Sequence, residues 1–282
     1  MDFQLSEDQR ALRDGMRRLL AGRFALRDAT DRVDRVDRAL WRTLGDAGFF
    51  SLALPEEEGG VGLGLPEAVL VFEEAGRVLL PGPAVASFLA AGAVPGAASG
   101  DVVVTAVDGS LVPWLDGADV VRGDATGAVP LRSVDPLTPL HRVPDGGHLD
   151  RAALLYAAEQ LGSAARTCEM AVQHARQRVQ FGQPIGAFQA VKHLCAQMLV
   201  RAELARSAVY AAAVTGDALD ASAAKLLADD AAVRNARDCL QVHGGMGFTW
   251  ESDVHLHLKR AWVRAELGRT ARDAEEELAA AL

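Results

Sequence analysis

Apolar residues recur three and four positions apart at Leu12, Met16, Leu19 and Leu20, which predicts an amphipathic helix over 6–28. Ser6 is placed as its N-cap, with Gln9 three residues on as in a capping box. A second helical face over 31–47, beginning near Asp31, is drawn by Val33, Val36, Leu40 and Leu44, and Gly48 stops it. The glycine-rich run from Glu56 to Gly64 lacks the lysine of a phosphate loop and follows no strand, so it reads as a turn between helices. Pro66 suits the first turn of a third helix through Leu79, closed by Pro81-Gly82-Pro83, and a short helix follows over 84–91.

After Gly92 the periodicity changes. Asp101 to Ser110 reads as a strand running into a hairpin turn, and Ala118–Val121 and Ala128–Leu131 suggest two or three further short strands. A block this short leans on its neighbours to bury a core. From Leu149 onward the pattern is helical again, in segments at about 150–178, 186–215, 218–245 and 253–280. Four long helices with short connections predict an antiparallel bundle. The chain therefore divides into a helical segment at 1–92, a small β segment at 93–147 and a four-helix bundle at 148–282.

Composition narrows the chemistry. Half of the 282 residues are hydrophobic and only 5% are aromatic, which favours packed helices. A net charge of -9 argues against nucleic acid or an anionic membrane as partner, while leaving room for a local basic patch that takes a small anion. The three cysteines, Cys168, Cys195 and Cys239, are widely spaced with no CxxC, which points to a reducing compartment rather than a disulfide scaffold or zinc site. No basic and apolar leader and no membrane-length apolar stretch is visible, so a cytoplasmic protein is expected. His255 and His257 are two apart and point away from each other on a helix, and no Glu-x-x-His pair occurs, so no metal site is expected. The arginines of the first helix, among them Arg10, Arg13 and Arg17, read as a solvated face balanced by Asp14 and Asp28.

Several stretches resemble the acyl-CoA dehydrogenase family. They are the opening Met1 to Gln9, Trp41 to Gly48, Leu54 to Gly60 and Glu73 to Arg77. In the bundle they are Arg178 to His193 and Gln241 to Glu251. The resemblance implies a mainly α, acyl-CoA dehydrogenase-like fold, FAD as cofactor, and α,β-dehydrogenation of an acyl-CoA or acyl-carrier thioester. It further implies that Arg178 grips the FAD pyrophosphate of a neighbouring subunit and Phe181 lies against the adenosine part. Gln241, Gly244 and Gly245 match the segment that approaches the same dinucleotide. A guanidinium is always charged and forks onto two phosphate oxygens, and paired glycines let backbone N–H groups come close to a ligand. Gln189, Lys192 and His193 are instead expected to serve the bundle and its interfaces.

The family's catalytic base occupies one of two positions, and in register these fall on Ala152 and Gly268. Neither is an acid. Asp150 and Glu266 each lie two residues from one of these positions and are the carboxylate candidates that remain. Ala153 falls where the family has an Arg beside the earlier base, with Arg151 two residues upstream. Glu251 matches a structural glutamate. The family strands that face the isoalloxazine ring have no counterpart between 93 and 147, where Trp114 is the only tryptophan. This resembles the short subunits of heteromeric dehydrogenases in actinobacterial steroid side-chain breakdown, in which a full-length partner brings the base. Three readings stay open: a flavin-dependent component of a homo- or hetero-oligomer, a flavin-free scaffold or regulatory subunit, and a self-sufficient enzyme using Asp150 or Glu266. An interface through the last helices is expected, with Val254, Leu256, Leu258 and Trp262 as an uncovered apolar set.

Overall fold

The computed structural model describes residues 4–23, 35–144, 146–149 and 151–281. Ser6 and Gln9 form the expected capping box, each backbone N–H donating to the other's side chain at 3.0 and 3.1 Å, and α1 (Glu7–Arg23) follows. The region where it was expected to continue to residue 28 lies outside the described residues, as does Asp31. α2 (Arg38–Asp46) is capped by Asp37, whose carboxylate accepts the N–H groups of Ala39 and Leu40 at 3.0 Å. α3 (Leu65–Arg77) and α4 (Ala84–Ala90) complete the first helical layer. Its core is aromatic: Phe72 meets Phe49 and Phe88 at centroid distances of 5.1 and 5.3 Å, and Trp41 meets Phe50 at 4.9 Å. Arg17 does not face water alone, because its guanidinium forks onto the buried Glu74 at 2.6 and 2.8 Å.

The middle segment is built from five three-residue strands, β1 (Val104–Ala106), β2 (Leu111–Pro113), β3 (Val120–Arg122), β4 (Val129–Leu131) and β5 (Leu140–Arg142). The expected hairpin is reduced to one bridge, Asp108 with Leu111. β1 pairs instead in parallel with β3, and β5 sits between β2 and β4. All of β1 is buried, so it needs cover on both faces. One face is met by α4, where Ser87 Oγ both donates to and accepts from the Val104 backbone at 3.0 Å. β5 carries no alternation that marks it as a strand; its ladder partners define it.

The bundle is α5 (Ala152–Gln177), α6 (Gln189–Thr215) and α7 (Ala218–His243), closed by α8 (Val254–Ala265) and α9 (Ala271–Ala280). The single segment expected over 253–280 is therefore two helices. Gly268 takes a φ of +65° between them, and Thr270 opens α9 with a capping box to Asp273. α3 and α5 touch backbone to backbone. A β-carbon on Gly76 would sit 2.0 Å from the Glu159 carbonyl oxygen, and one on Gly162 would sit 1.9 Å from that of Glu73. Glycine is the only residue that fits either side of this crossing. The contact aims Glu73 at α6, where it accepts from Arg206 at 2.9 Å and from Tyr210 Oη at 2.8 Å.

Val254, Leu256 and Leu258 are buried inside the chain, which corrects the expectation that they form an uncovered set; only Trp262 of the four is exposed. α8 packs under α7 and α5 and consumes that face itself. The exposed apolar side chains of the bundle lie elsewhere, at Leu199, Val200, Leu204 and Val214 of α6.

His257 of α8 is fully enclosed, with Nδ1 2.8 Å from Ser163 Oγ. Burial, and then the nearby Arg166, Arg264, Arg260 and Arg77, push its pKa down to about 3. The folded chain thus holds it neutral, while the unfolded chain binds a proton below the ordinary histidine value of ~6.5. Its contribution is complete above that value and falls with acidification toward about 3. The slope is about 1.4 kcal/mol per pH unit. Buried Glu159, Asp229 and Asp108, whose carboxyls are raised by burial, act with the opposite sign. The comparison that isolates His257 is urea unfolding of wild type and His257→Asn from pH 7 to 5, in which wild type should lose stability more steeply by up to about that slope.

Candidate functional site

α5 ends at Gln177, and the chain turns through a two-strand hairpin, β6 (Val179–Gln180) and β7 (Gln183–Pro184). Its two turn residues, Phe181 and Gly182, have φ of +54° and +79°. A two-residue turn with both φ positive is ordinarily filled by Asn-Gly, and a phenylalanine there is strained by about 1 kcal/mol or more. The same Phe181 is 90% exposed, with Phe188 edge to face at a centroid distance of 6.1 Å. Its position costs stability in the isolated chain and presents an aromatic face outward.

The C-terminal end of α7 lies beside this hairpin. His174 of α5 stacks on His243 of α7 at 4.1 Å, bringing Arg178 and Gly244 to one end of the bundle. Burial, then His243 and Arg178, lower the His174 pKa. Gly244 has φ +62° and ψ -145°, a conformation that a side chain would oppose. β-Carbons on Gly244, Gly245 and Gly182 would meet nothing within 4 Å. These glycines therefore do not relieve crowding within the chain; they leave backbone open on its outer surface. Arg178 and Gln241 are exposed there, together with Met246, Phe248 and Trp250. The structure thus brings Arg178, Phe181, Gln241, Gly244 and Gly245 to one open cradle. Its chemistry suits an adenine dinucleotide: a guanidinium for phosphate, glycine backbone without side chains to block approach, and aromatic faces. Gln189 opens α6 nearby, and Lys192 and His193 are exposed on its first turns.

The other end of α5 is different. Ala152 is its first residue and is buried. Gly268 comes within reach of Asp108, a residue that sequence reasoning left unused. A β-carbon on Gly268 would lie 2.9 Å from Asp108 Oδ2, so the aspartate carboxylate occupies the space that a side chain at 268 would enter. Asp108 is buried, its Oδ1 accepts from the Leu149 N–H at 3.1 Å and faces His148 Nδ1 at 3.3 Å, and burial raises its pKa. Among the described residues its Oδ2 has no hydrogen-bond partner. No motif marks Asp108, since the middle segment brings it in from far along the chain. Glu266 lies at the exposed C-terminal end of α8, and Asp150 lies outside the described residues. Beside Leu267, a cavity walled by Trp114, Tyr156, Glu159, Arg260 and Arg264 measures about 30 Å³. That is the share of one water molecule in the liquid, too small for an acyl thioester. His255 and His257 are both buried, and no group of three or more His, Cys, Asp or Glu able to hold a metal occurs among the described residues.

Comparison with known proteins follows the same outline. The family model for the acyl-CoA dehydrogenase N-terminal domain matches residues 6–99, and that for the C-terminal domain matches residues 145–272. The acyl-CoA dehydrogenase IpdE2 of Mycobacterium tuberculosis is 36% identical over 95% of each chain. FadE34 of the same organism is 37% identical over 86% of this chain and 42% of its own length. The ChsE4–ChsE5 complex from Mycobacterium tuberculosis superposes with a TM-score of 0.84 at 25% identity, over 99% of this chain and 98% of the other. Butyryl-CoA dehydrogenase from Megasphaera elsdenii shares the fold at a TM-score of 0.85 and 20% identity, over 100% of this chain and 99% of that one. The chain belongs to the acyl-CoA dehydrogenase family, and at the family level it is an oxidoreductase. No helix among the described residues is long and apolar enough to cross a membrane.

Proposed function

We propose that this chain is a subunit of a flavin-dependent acyl-CoA dehydrogenase, supplying the dinucleotide half-site for FAD to a partner subunit that carries the catalytic base. The observation that carries this reading is the contrast between the two ends of α5. At one end, Arg178 and Phe181 stand outward beside the open Gly244–Gly245 backbone. At the other, Ala152 is buried and Asp108 fills the space next to Gly268. The two-component ChsE4–ChsE5 complex, similar over nearly the whole chain, supports a heteromeric assembly.

In this reading Arg178 would hold the pyrophosphate, Phe181 would cover the adenosine part, and the side-chain-free backbone at Gly244 and Gly245 would let the dinucleotide come close. FAD held there would supply a hydride-accepting ring for the thioester's β-carbon, with the α-proton left to a carboxylate of the partner subunit. This chain's residues hold and orient; they move no proton. The strained turn is consistent with that role, since its cost is offset only when the exposed ring is covered. The domain division proposed with it is a helical segment at 1–92, the β segment at 93–147 and the bundle at 148–282.

Arg178→Ala tests the cradle directly. Loss of one charge-assisted phosphate contact should weaken FAD retention by about 1.5–3 kcal/mol, a fall of roughly ten- to a hundredfold in affinity. The readout is flavin absorbance after dialysis of the complex formed with the partner subunit. Unchanged occupancy would remove Arg178 from the site, and a complex that never carries flavin would favour the scaffold reading.

A further inference from the structure

We propose that the cavity at the N-terminal end of α5 is a second binding site, for a small amphipathic carboxylate. The cavity has a volume of about 270 Å³ and lies between the start of α5, the α6–α7 turn and the loop before α9. It has room for about nine water-sized volumes of ~30 Å³ each, enough for a short acyl chain with its head group. Its walls divide by chemistry. Leu65, Leu149, Leu154, Ala212 and Ala221 make one apolar side, and His148, Arg151 and Arg269 bring cationic or donor groups to the other.

Among the described residues, Asp217, the acidic residue that lines this cavity, and the nearby Glu277 are already committed. Asp217 caps α7, accepting the N–H groups of Leu219 and Asp220 at 2.8 and 3.1 Å. Glu277 pairs with Arg269 and accepts from Ser222 Oγ at 2.9 Å. Arg151, by contrast, has no ion-pair partner among the described residues and is held with a φ of +64° at the head of α5. A non-glycine residue in that region is uncommon, and here it places the guanidinium at the rim. His148 is backed by the buried Asp108, whose Oδ1 faces Nδ1 at 3.3 Å, and it lines the cavity. A carboxylate entering head toward Arg151 and His148 would meet a fork and a ring nitrogen, and its chain would lie on leucine and alanine. A dinucleotide is too large for the space. Inorganic phosphate would leave the apolar wall uncovered.

The site is independent of the proposed flavin cradle. α5 has 26 residues, which at 1.5 Å per residue separates the two by roughly 39 Å. The probe is octanoate, titrated calorimetrically into the full chain, with octan-1-ol and inorganic phosphate as comparison ligands. Octanoate should bind saturably, one per chain, and octanol and phosphate should bind at least about tenfold more weakly because each lacks one half of the recognition. Arg151→Gln and His148→Asn should each weaken octanoate about tenfold. Arg151 is exposed, so Arg151→Gln should keep the wild-type thermal unfolding, and flavin content of the partnered complex should not change in either variant. Ala221→Met, which fills the cavity from its apolar side, should abolish binding. The proposal is overturned by absence of saturable octanoate binding, by equal affinity in Arg151→Gln and Ala221→Met, or by phosphate binding as tightly as octanoate. None of these outcomes bears on whether Arg178 holds FAD.

Discussion

Purified without a partner, the chain should oxidise acyl-CoA thioesters at least about 10²- to 10⁴-fold more slowly than the complex with a full-length acyl-CoA dehydrogenase subunit. The α C–H of a thioester is a weak acid, so the reaction needs an aligned carboxylate in a dry site and an oxyanion contact in the same place. In the proposed register, Ala152 and Gly268 hold the two base positions. Asp108 is the carboxylate beside Gly268, but it is buried and bound to the Leu149 backbone, with His148 between it and the nearest sizeable cavity. Glu266 stands in water at the end of α8. In the active complex, Glu266→Ala and Asp150→Ala should therefore leave turnover within about threefold, a change in barrier under ~1 kcal/mol. The measurement is reduction of a ferrocenium-type acceptor by an acyl-CoA panel. A homomeric protein that is yellow, turns over and loses activity with either substitution would establish the self-sufficient enzyme instead.

The largest expected effect on stability comes from Asp229→Ala, at about 3–5 kcal/mol. Lys225 is 1% exposed, and its ammonium meets Asp229 Oδ2 at 2.5 Å with the Arg264 and Ala265 carbonyl oxygens at 3.4 Å. Gln160 Nε2 donates to the other carboxylate oxygen at 2.8 Å and to the Ala261 carbonyl at 3.0 Å. This network ties α7 to α5 and to the end of α8. Truncating the aspartate strands a buried cation and frees the glutamine at once. Replacing both members, Lys225→Met with Asp229→Leu, removes the orphaned charge and should recover most of the loss. Urea unfolding of the single and double variants checks this: a double variant as weak as the single would mean that the loss is packing rather than the stranded charge.

Much of the fold could be read along the chain because it is written in local periodicity. Leu12, Met16 and Leu20 repeat at helical spacing, Ser6 and Gln9 cap in place, and Gly48, at a φ of +78°, follows the end of α2. The long matches from Arg178 to His193 and from Gln241 to Glu251 named the family for the same reason: each is a contiguous run. What failed was non-local. The break at Gly268 inside an Ala- and Glu-rich stretch was hidden because one glycine is tolerated in many helices. β1 chose β3 rather than the strand next to it in sequence, since burial on both faces outweighed the shorter loop.

The sites divide along the same line. Sequence by itself pointed to the residues of the proposed cradle, because Arg178, Phe181, Gly244 and Gly245 sit in contiguous motifs. Tertiary structure decided that they share one end of the bundle, through the stacking of His174 on His243. It also decided that Val254, Leu256 and Leu258 are core rather than interface, since only packing settles which apolar face is covered. Asp108 beside Gly268, and His148 facing a cavity with Arg151, join residues from three segments that no spacing rule connects. Periodicity reports what lies within a turn or two along the chain; contacts between distant segments exist only once the whole core has closed.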